Sequence, residues 1–126
     1  MTKLSDPNFL RGMFDAAVAG GITAEEVVRP YDTISFCLSK GLGCPVGSLI
    51  VGTRPFIDRA HRFRKMFGGG MRQAGFLAAA GLYAFDHHIE RLADDHARVR
   101  KLADALVASG AFPLASPVAT NMAYVD

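Results

Sequence analysis

The chain has 126 residues and a mass of 13.5 kDa, which is enough for one ordinary domain and too little for two large ones. Hydrophobic residues make up 50% of the chain and charged residues 21%, a balance that is typical of globular proteins and excludes an intrinsically disordered polymer. The formal net charge of +2 is small for a protein that binds nucleic acid mainly by electrostatic attraction.

The sequence predicts neither a membrane protein nor a secreted one. No apolar run reaches about 18 residues, the length that spans a bilayer. Residues 1–13 lack the apolar run and the cleavage site of a signal peptide. The two cysteines, Cys37 and Cys44, fit reduced thiols better than a disulfide framework. We therefore expect a cytoplasmic protein.

The first predicted elements are two short helices. Apolar residues share one face of residues 10–19, which predicts a helix that ends at the glycine pair following it. Thr23, followed by Glu26 three residues later, forms a capping-box pattern that predicts the start of a second helix. Pro30 is expected to end this second helix.

Two strands and a glycine-rich loop come next. Residues 33–38 alternate between apolar and polar side chains and predict a strand with one apolar face. Residues 48–51 predict a second strand. The loop at 39–47 is too short for the crossover that joins parallel strands, so we expect the two strands to be antiparallel neighbours or the second strand to pack nearby.

The second half of the chain predicts three helices. Residues 54–67 form a basic helix, and a glycine triplet at 68–70 separates it from an almost wholly apolar helix at 71–85. A helix that is apolar on all sides is usually buried, so we expect residues 71–85 to be buried. Residues 86–109 predict an amphipathic helix, and the tail at 120–126 predicts the start of a strand.

Lys40 is the first candidate for chemistry, because it follows a strand and precedes Gly41 and Gly43. A lysine at a strand end is usually only a solvated charge. A lysine amine can also act as a nucleophile and form a Schiff base with an aldehyde such as pyridoxal phosphate. The flanking glycines would let a bulky ring approach the backbone. The residues alone leave both interpretations open.

The basic helix has three interpretations. A charge run is most often a solvated face, but arginines also bind phosphate or carboxylate through their fork geometry, and residues 54–72 could form a nucleic-acid surface. The basic residues are Arg54, Arg59, Arg62, Arg64, Lys65 and Arg72, against the single acid Asp58. The spacing of histidines and cysteines fits no zinc site, so no metal is expected.

Four segments together resemble one family. They are residues 35–48 (SFCLSKGLGCPVGS), residues 64–75 (RKMFGGGMRQAG), residues 92–97 (LADDHA) and residues 120–122 (TNM). In this order and spacing they resemble the low-specificity L-threonine aldolases, over about residues 13–126.

The resemblance implies an α/β fold of the aspartate-aminotransferase type, of which this chain is a fragment. Residues 1–109 would form part of the large, cofactor-binding domain, namely the last strands of its mostly parallel sheet and the helices that follow them. Residues 110–126 would begin a truncated small C-terminal domain.

The resemblance also implies an activity. Family members use pyridoxal phosphate to cleave L-threonine and related 3-hydroxy amino acids to glycine and an aldehyde. Lys40 matches the catalytic lysine that forms the Schiff base with the cofactor. Arg72 matches a cofactor-binding residue, and Lys65 and Arg72 match the substrate-site region. The implied partners are a small-molecule amino acid and further subunits of a homo-oligomer, with no nucleic acid, membrane or metal.

The chain departs from the family near its N-terminus. The family's Asp-Gly-Ala-Arg segment aligns with residues 9–12, where Phe9 and Gly12 replace the aspartate and the arginine and Arg11 lies one place off. The family's phosphate-binding glycines, ring-stacking histidine and carboxylate-binding arginine have no match. We therefore expect a truncated member that is inactive by itself. The alternative is a non-catalytic remnant that binds a full-length paralogue through an exposed sheet edge.

Overall fold

The computed structural model describes residues 12–126, which form the mixed α/β fold that the sequence predicts. The helices are α1 (Met13–Gly20), α2 (Ala24–Val28), α3 (Arg54–Met66), α4 (Gly75–His87) and α5 (Leu92–Ala108), and the strands are β1 (Thr33–Cys37) and β2 (Ser48–Gly52). The expectations for residues 9–11, including the predicted start of the first helix and the place of Arg11, lie outside the described residues.

Capping interactions define the two helices that precede the sheet. α1 ends where Gly21 adopts a left-handed φ of 63°, a conformation that residues with a side chain rarely adopt. The predicted capping box at the start of α2 is confirmed. The Glu26 backbone N–H donates to Thr23 Oγ1 at 3.2 Å, and the Thr23 backbone N–H donates to the Glu26 carboxylate at 2.8 Å.

This capping box makes α2 sensitive to acid. Hydrogen bonds from the Thr23 backbone and then from its side chain hold the pKa of Glu26 below its ordinary value. Because the folded-state pKa is depressed, the contribution to stability is present above the unfolded-state pKa and is lost as the pH falls through the folded-state pKa. In an NMR titration of the Glu26 carboxyl, we expect Thr23→Ala to move the midpoint upwards. An unchanged midpoint would contradict this account.

β1 and β2 pair in the antiparallel sense, as the short connection predicts. The register places Ile34 opposite Val51 and Phe36 opposite Leu49. Ile34 and Phe36 are buried, whereas the polar residues on either side of Ile34 are exposed, which is the predicted alternation. Val51 and Leu49 are exposed. The sheet therefore contributes to the core through the face of β1 that bears Ile34 and Phe36.

The core lies between β1, α1 and α4. Phe14 of α1 and Phe36 of β1 meet edge to face with ring centroids 5.3 Å apart, and Phe85 of α4 lies 6.0 Å from the first ring and 6.1 Å from the second. Aromatic rings favour such tilted contacts. The buried members of the cluster are Met13, Ile34, Phe36, Leu38, Leu42, Cys44 and Ala84. Because two of these belong to the glycine-rich loop, packing of the core also holds the loop.

The glycine triplet ends α3 in a Schellman motif. The Gly68 N–H donates to the Lys65 carbonyl at 3.1 Å and the Gly69 N–H donates to the Arg64 carbonyl at 2.8 Å, with Gly68 at a φ of 84°. A Cβ on Gly69 would lie 2.9 Å from the Arg64 carbonyl oxygen. The Schellman motif at the end of α3 therefore requires glycine at 69. The basic side chains of α3 are exposed.

The predicted burial of the apolar helix is wrong. α4 covers Gly75–His87 instead of 71–85, and of its residues only Gly81 and Ala84 are buried. Phe76 is 90% exposed and Leu82 is 66% exposed. The reason is that the core touches one side of α4, and the remaining sides have nothing to pack against within residues 12–126.

The last helix begins later than predicted. A turn at residues 88–91, in which the Leu92 N–H donates to the Ile89 carbonyl at 3.1 Å, separates α4 from α5. The predicted amphipathic character is confirmed, because Leu92, His96 and Ala103 are buried while most of the helix is exposed, and α5 packs against α1.

The predicted strand at 120–126 is reduced to a single antiparallel bridge between Leu114 and Val125. The Ala115 N–H donates to the Tyr124 carbonyl at 2.9 Å, so the tail folds back on the segment that follows α5. In the part of the chain that the structure describes, no helix has the length and apolar character needed to cross a membrane.

Candidate functional site

Lys40 lies on the loop between β1 and β2. The Leu38 N–H donates to the Gly47 carbonyl at 2.9 Å and the Cys44 N–H donates to the Leu38 carbonyl at 3.1 Å. Within the segment that these two bonds enclose, the Gly43 N–H donates to the Lys40 carbonyl at 2.8 Å and closes a tight turn. The Lys40 side chain is exposed and has no hydrogen bond or ion pair within residues 12–126. The loop therefore presents a primary amine on a hydrogen-bonded turn.

The glycines beside Lys40 are required by packing and by turn geometry. A Cβ on Gly41 would lie 2.9 Å from Leu92 Cδ2 and 3.4 Å from Asp15 Oδ2. Leu92 is 1% exposed, so it has little room to yield. Gly43 has a φ of 71°, in the left-handed region that favours glycine. The approach of a bulky ring to these glycines stays a prediction.

A buried pair of polar side chains lies beneath this turn. His96 Nε2 and Asp15 Oδ1 are 3.1 Å apart, and the two side chains are 3% and 9% exposed. Because a carboxylate oxygen can only accept, the N–H at His96 Nε2 is the donor. The pair links α5 to α1, and the second carboxylate oxygen of Asp15 faces Gly41.

Helix α4 contacts the same loop at two further points. His88 Nδ1 lies 2.6 Å from the Leu42 carbonyl oxygen, and the Cys44 thiol donates to the Ala80 carbonyl at 3.5 Å. Cys37 and Cys44 are both free thiols. The loop is thus held by α1, α4 and α5 in addition to the two strands that it joins.

Lys65 and Arg72 flank the glycine triplet. Lys65 belongs to the last turn of α3, and its Nζ lies 3.0 Å from the position of a Cβ on Gly70. Arg72 belongs to the connection between α3 and α4, next to Gln73, which has a φ of 54°. Both cations are exposed. No described contact joins Lys40 to either of them, so their predicted approach to one ligand stays a prediction.

Asp15, His88 and His96 are the residues of the site that sequence reasoning missed. A histidine on an apolar stripe, such as His96, is a signal for a buried hydrogen-bond partner. The sequence does not reveal that the partner is Asp15, 81 residues away. Within residues 12–126, no three His, Cys, Asp or Glu side chains are placed to hold one metal ion.

The sequence matches one protein family over nearly the whole length of the chain. Residues 12–126 match the family described as Beta-eliminating lyase. The match includes the Lys40 loop, the glycine triplet and both members of the buried Asp15–His96 pair. The chain belongs to the beta-eliminating lyase family.

Several curated proteins are similar to this chain. The low specificity L-threonine aldolase of Escherichia coli K12 is 49% identical over 113 residues, which are 90% of this chain and 33% of that protein. The low-specificity L-threonine aldolase 1 of Arabidopsis thaliana is 43% identical over 115 residues, covering 90% of this chain and 32% of the plant protein. The Saccharomyces cerevisiae low specificity L-threonine aldolase is 36% identical over 115 residues. The chain spans about a third of the length of these relatives.

Two solved structures share the fold. One is a protein from Exiguobacterium sp. 255-15 described as a candidate aromatic amino acid beta-eliminating lyase/threonine aldolase, and the other is a candidate L-allo-threonine aldolase from Listeria monocytogenes EGD-E. Each has a TM-score of 0.80 at 21% identity, and each match covers 90% of this chain and 32% of the other. The described residues therefore fold as a segment of a threonine-aldolase-type α/β protein.

Proposed function

We propose that this chain carries the cofactor-lysine segment of a pyridoxal-phosphate-dependent lyase. The reaction is the cleavage of L-threonine or a related 3-hydroxy amino acid to glycine and an aldehyde. Support comes from the relatives named low specificity L-threonine aldolase, although the chain spans about a third of their length. The proposed partners are a small-molecule amino acid and further subunits of a homo-oligomer.

The observation that carries the proposal is the exposed amine of Lys40 on a turn that is fixed from several sides. Lys40 sits between a short backbone hydrogen bond to Gly43 and the packed Gly41. A nucleophile on such a rigid support loses less conformational freedom when it reacts than one on a mobile segment. A lysine that is only a solvated surface charge does not require a hydrogen-bonded turn between packed glycines.

The described residues supply some of the groups that pyridoxal phosphate requires. An aldehyde requires a primary amine, which Lys40 supplies, and a phosphate group favours a cation such as that of Arg72. We propose that Lys40 attaches the cofactor covalently and that Arg72 contributes to its binding. Lys65 and Arg72 also belong to the proposed substrate region, where the arginine fork suits a carboxylate.

The chain contributes placement and charge to the proposed reaction. When bound, pyridoxal phosphate supplies an electron-poor ring that spreads the negative charge left on the α carbon as its bond to the β carbon breaks. Lys40 would hold the cofactor through its amine, and its exposed position would leave that attachment accessible to an amino acid. Lys65 and Arg72 attract the carboxylate of that amino acid.

Borohydride trapping tests the role of Lys40. The chain is incubated with pyridoxal phosphate, reduced, digested and mapped for label on its lysines, which are Lys3, Lys40, Lys65 and Lys101. Condensation of the Lys40 amine with the aldehyde releases one water, and hydride addition to the resulting C=N bond leaves a stable secondary amine. If Lys40 is the attachment point of the cofactor, we expect it to carry about tenfold more label than Lys101, which lies within helix α5 and has no proposed role.

Two charge-conserving variants control this experiment. Lys40→Arg keeps the positive charge but removes the nucleophilic amine, so the dominant label should disappear. Lys101→Arg changes an exposed lysine of α5 and should leave the label on Lys40 unchanged. Equal labelling of all lysines in the parent chain would overturn the proposed role of Lys40.

A non-catalytic role beside a longer paralogue is the second candidate. Within residues 12–126, β1 and β2 pair only with each other, so each strand keeps one edge free of strand pairing. Ile50 and Val51 of β2 are also about half exposed. Such edges accept further strands. Co-elution of the tagged chain with a full-length aldolase paralogue, weakened by Ile50→Pro, would support this role, and separate elution would refute it.

The remaining expectations from the sequence stay proposals. We propose that residues 1–109 belong to the large cofactor-binding domain and that residues 110–126 begin a small C-terminal domain. The return of the tail onto the segment after α5 is compatible with the start of such a unit. The two free thiols support the proposed cytoplasmic location, because thiols persist in a reducing compartment.

A further inference from the structure

His88 forms a short polar contact with the loop that carries Lys40. Its Nδ1 lies 2.6 Å from the backbone carbonyl oxygen of Leu42. A carbonyl oxygen can only accept a hydrogen bond, so Nδ1 must carry the proton. In the neutral ring, Nε2 is then the nitrogen without a proton. This contact therefore assigns the tautomer of His88.

The carbonyl that His88 holds belongs to the tight turn of Lys40. Leu42 lies between Lys40 and Gly43, whose backbone groups close the turn at 2.8 Å. His88 Nδ1 also lies 3.6 Å from the position of a Cβ on Gly43. Because the Lys40 side chain has no partner of its own in the described range, only the backbone of this turn fixes the point and direction in which the side chain leaves the loop.

His88 is itself held in place. It is the C-terminal cap residue of α4, is half-buried, and its ring meets Tyr83 edge to face at 5.5 Å. The contact with the Leu42 carbonyl thus fixes the loop relative to the C-terminal end of α4. The partner is a backbone carbonyl, so the side chain of Leu42 plays no part in the hydrogen bond.

We propose that His88 is a positioning residue for Lys40, acting through the hydrogen bond from Nδ1 to the Leu42 carbonyl. This inference rests on the proposed function, in which Lys40 attaches the cofactor. The hydrogen bond keeps the Lys40–Gly43 turn in one conformation and so fixes where the Lys40 side chain leaves the loop. Protonation of the ring leaves the Nδ1 proton in place, so the role does not depend on a change of charge at His88.

Three variants at position 88 test the proposal. His88→Asn offers an amide N–H at about the reach of Nδ1, His88→Gln offers one at about the reach of Nε2, and His88→Ala offers none. The readout is the ratio of trapped label on Lys40 to label on Lys101 in the same molecule. We expect His88→Ala and His88→Gln to lower this ratio about tenfold and His88→Asn to retain it.

The controls separate positioning from stability and from the proposed function. A purely structural role would lower the urea midpoint of His88→Ala without changing the labelling ratio of the folded protein, and that result would overturn the proposal. If His88→Ala fails to fold, equal ratios in His88→Asn and His88→Gln would overturn it. A parent chain without preference for Lys40 would instead overturn the proposed function, and the role of His88 with it.

The tautomer provides a readout that needs no cofactor. A nitrogen-15 NMR spectrum of the parent chain shows which ring nitrogen of His88 carries the proton. We expect the Nδ1–H form, and the Nε2–H form would overturn the proposal whatever the labelling shows.

Discussion

A polypeptide limited to residues 1–126 and supplied with pyridoxal phosphate is expected to release no measurable acetaldehyde from L-threonine. The curated relatives match it over 33% or less of their length in the cases described above. The residues proposed for the site, Lys40, Lys65 and Arg72, provide one amine and two cations. Catalytic groups act as a unit, and loss of substrate orientation alone can lower a rate by orders of magnitude.

The assay follows acetaldehyde from L-threonine, with the Escherichia coli relative as the positive control. Addition of a longer relative whose own matching lysine is replaced tests whether the segment works when the other groups are supplied by a second chain. Turnover of about 1 per second or more by the 126-residue chain alone, abolished by Lys40→Ala, would show that the segment carries a sufficient catalytic site.

Asp15→Ala is expected to lower the free energy of unfolding by about 3 kcal/mol, because it leaves the buried His96 without its partner. The His96 side chain is 3% exposed, so water cannot replace the lost acceptor without rearrangement. The measurement is urea unfolding at fixed pH. The same change removes the carboxylate that faces Gly41, so the loop of Lys40 should also loosen.

Two matched variants identify the cause of this loss. Asp15→Asn keeps an acceptor oxygen at nearly the same place and should retain most of the stability. Asp15→Leu combined with His96→Leu removes both polar groups and should lose less than Asp15→Ala, because no unpaired polar group is left buried. Equal stability of Asp15→Ala and the parent chain would refute the structural role of the pair.

Local structure was predictable wherever neighbouring residues decide it. The capping box needs only Thr23 and Glu26, which lie within one helical turn. The antiparallel pairing of β1 and β2 agrees with a connection that is too short for a parallel crossover. The glycine triplet marks the end of α3 because the left-handed turn at Gly68 favours a residue without a side chain.

Helix boundaries and burial were less predictable, because they depend on what lies next to the helix. The apolar composition of α4 indicates a buried helix, yet Phe76 and Leu82 are exposed in the described part of the chain. The apolar composition of a helix indicates that its burial would be favourable, but the helix is buried only where another surface packs against it. The turn at 88–91 divides a segment whose apolar periodicity predicts one continuous helix from residue 86 to residue 109.

The sequence by itself determined the family-like segments, the short-range caps and turns, and Lys40 as the candidate nucleophile, because each depends on residues that are close along the chain. Only the tertiary structure decided what holds Lys40 in place. Asp15 meets His96 across 81 positions, and His88 meets Leu42 across 46. Which polar groups meet over such distances depends on how helices pack around a core, and packing is a property of the folded chain as a whole.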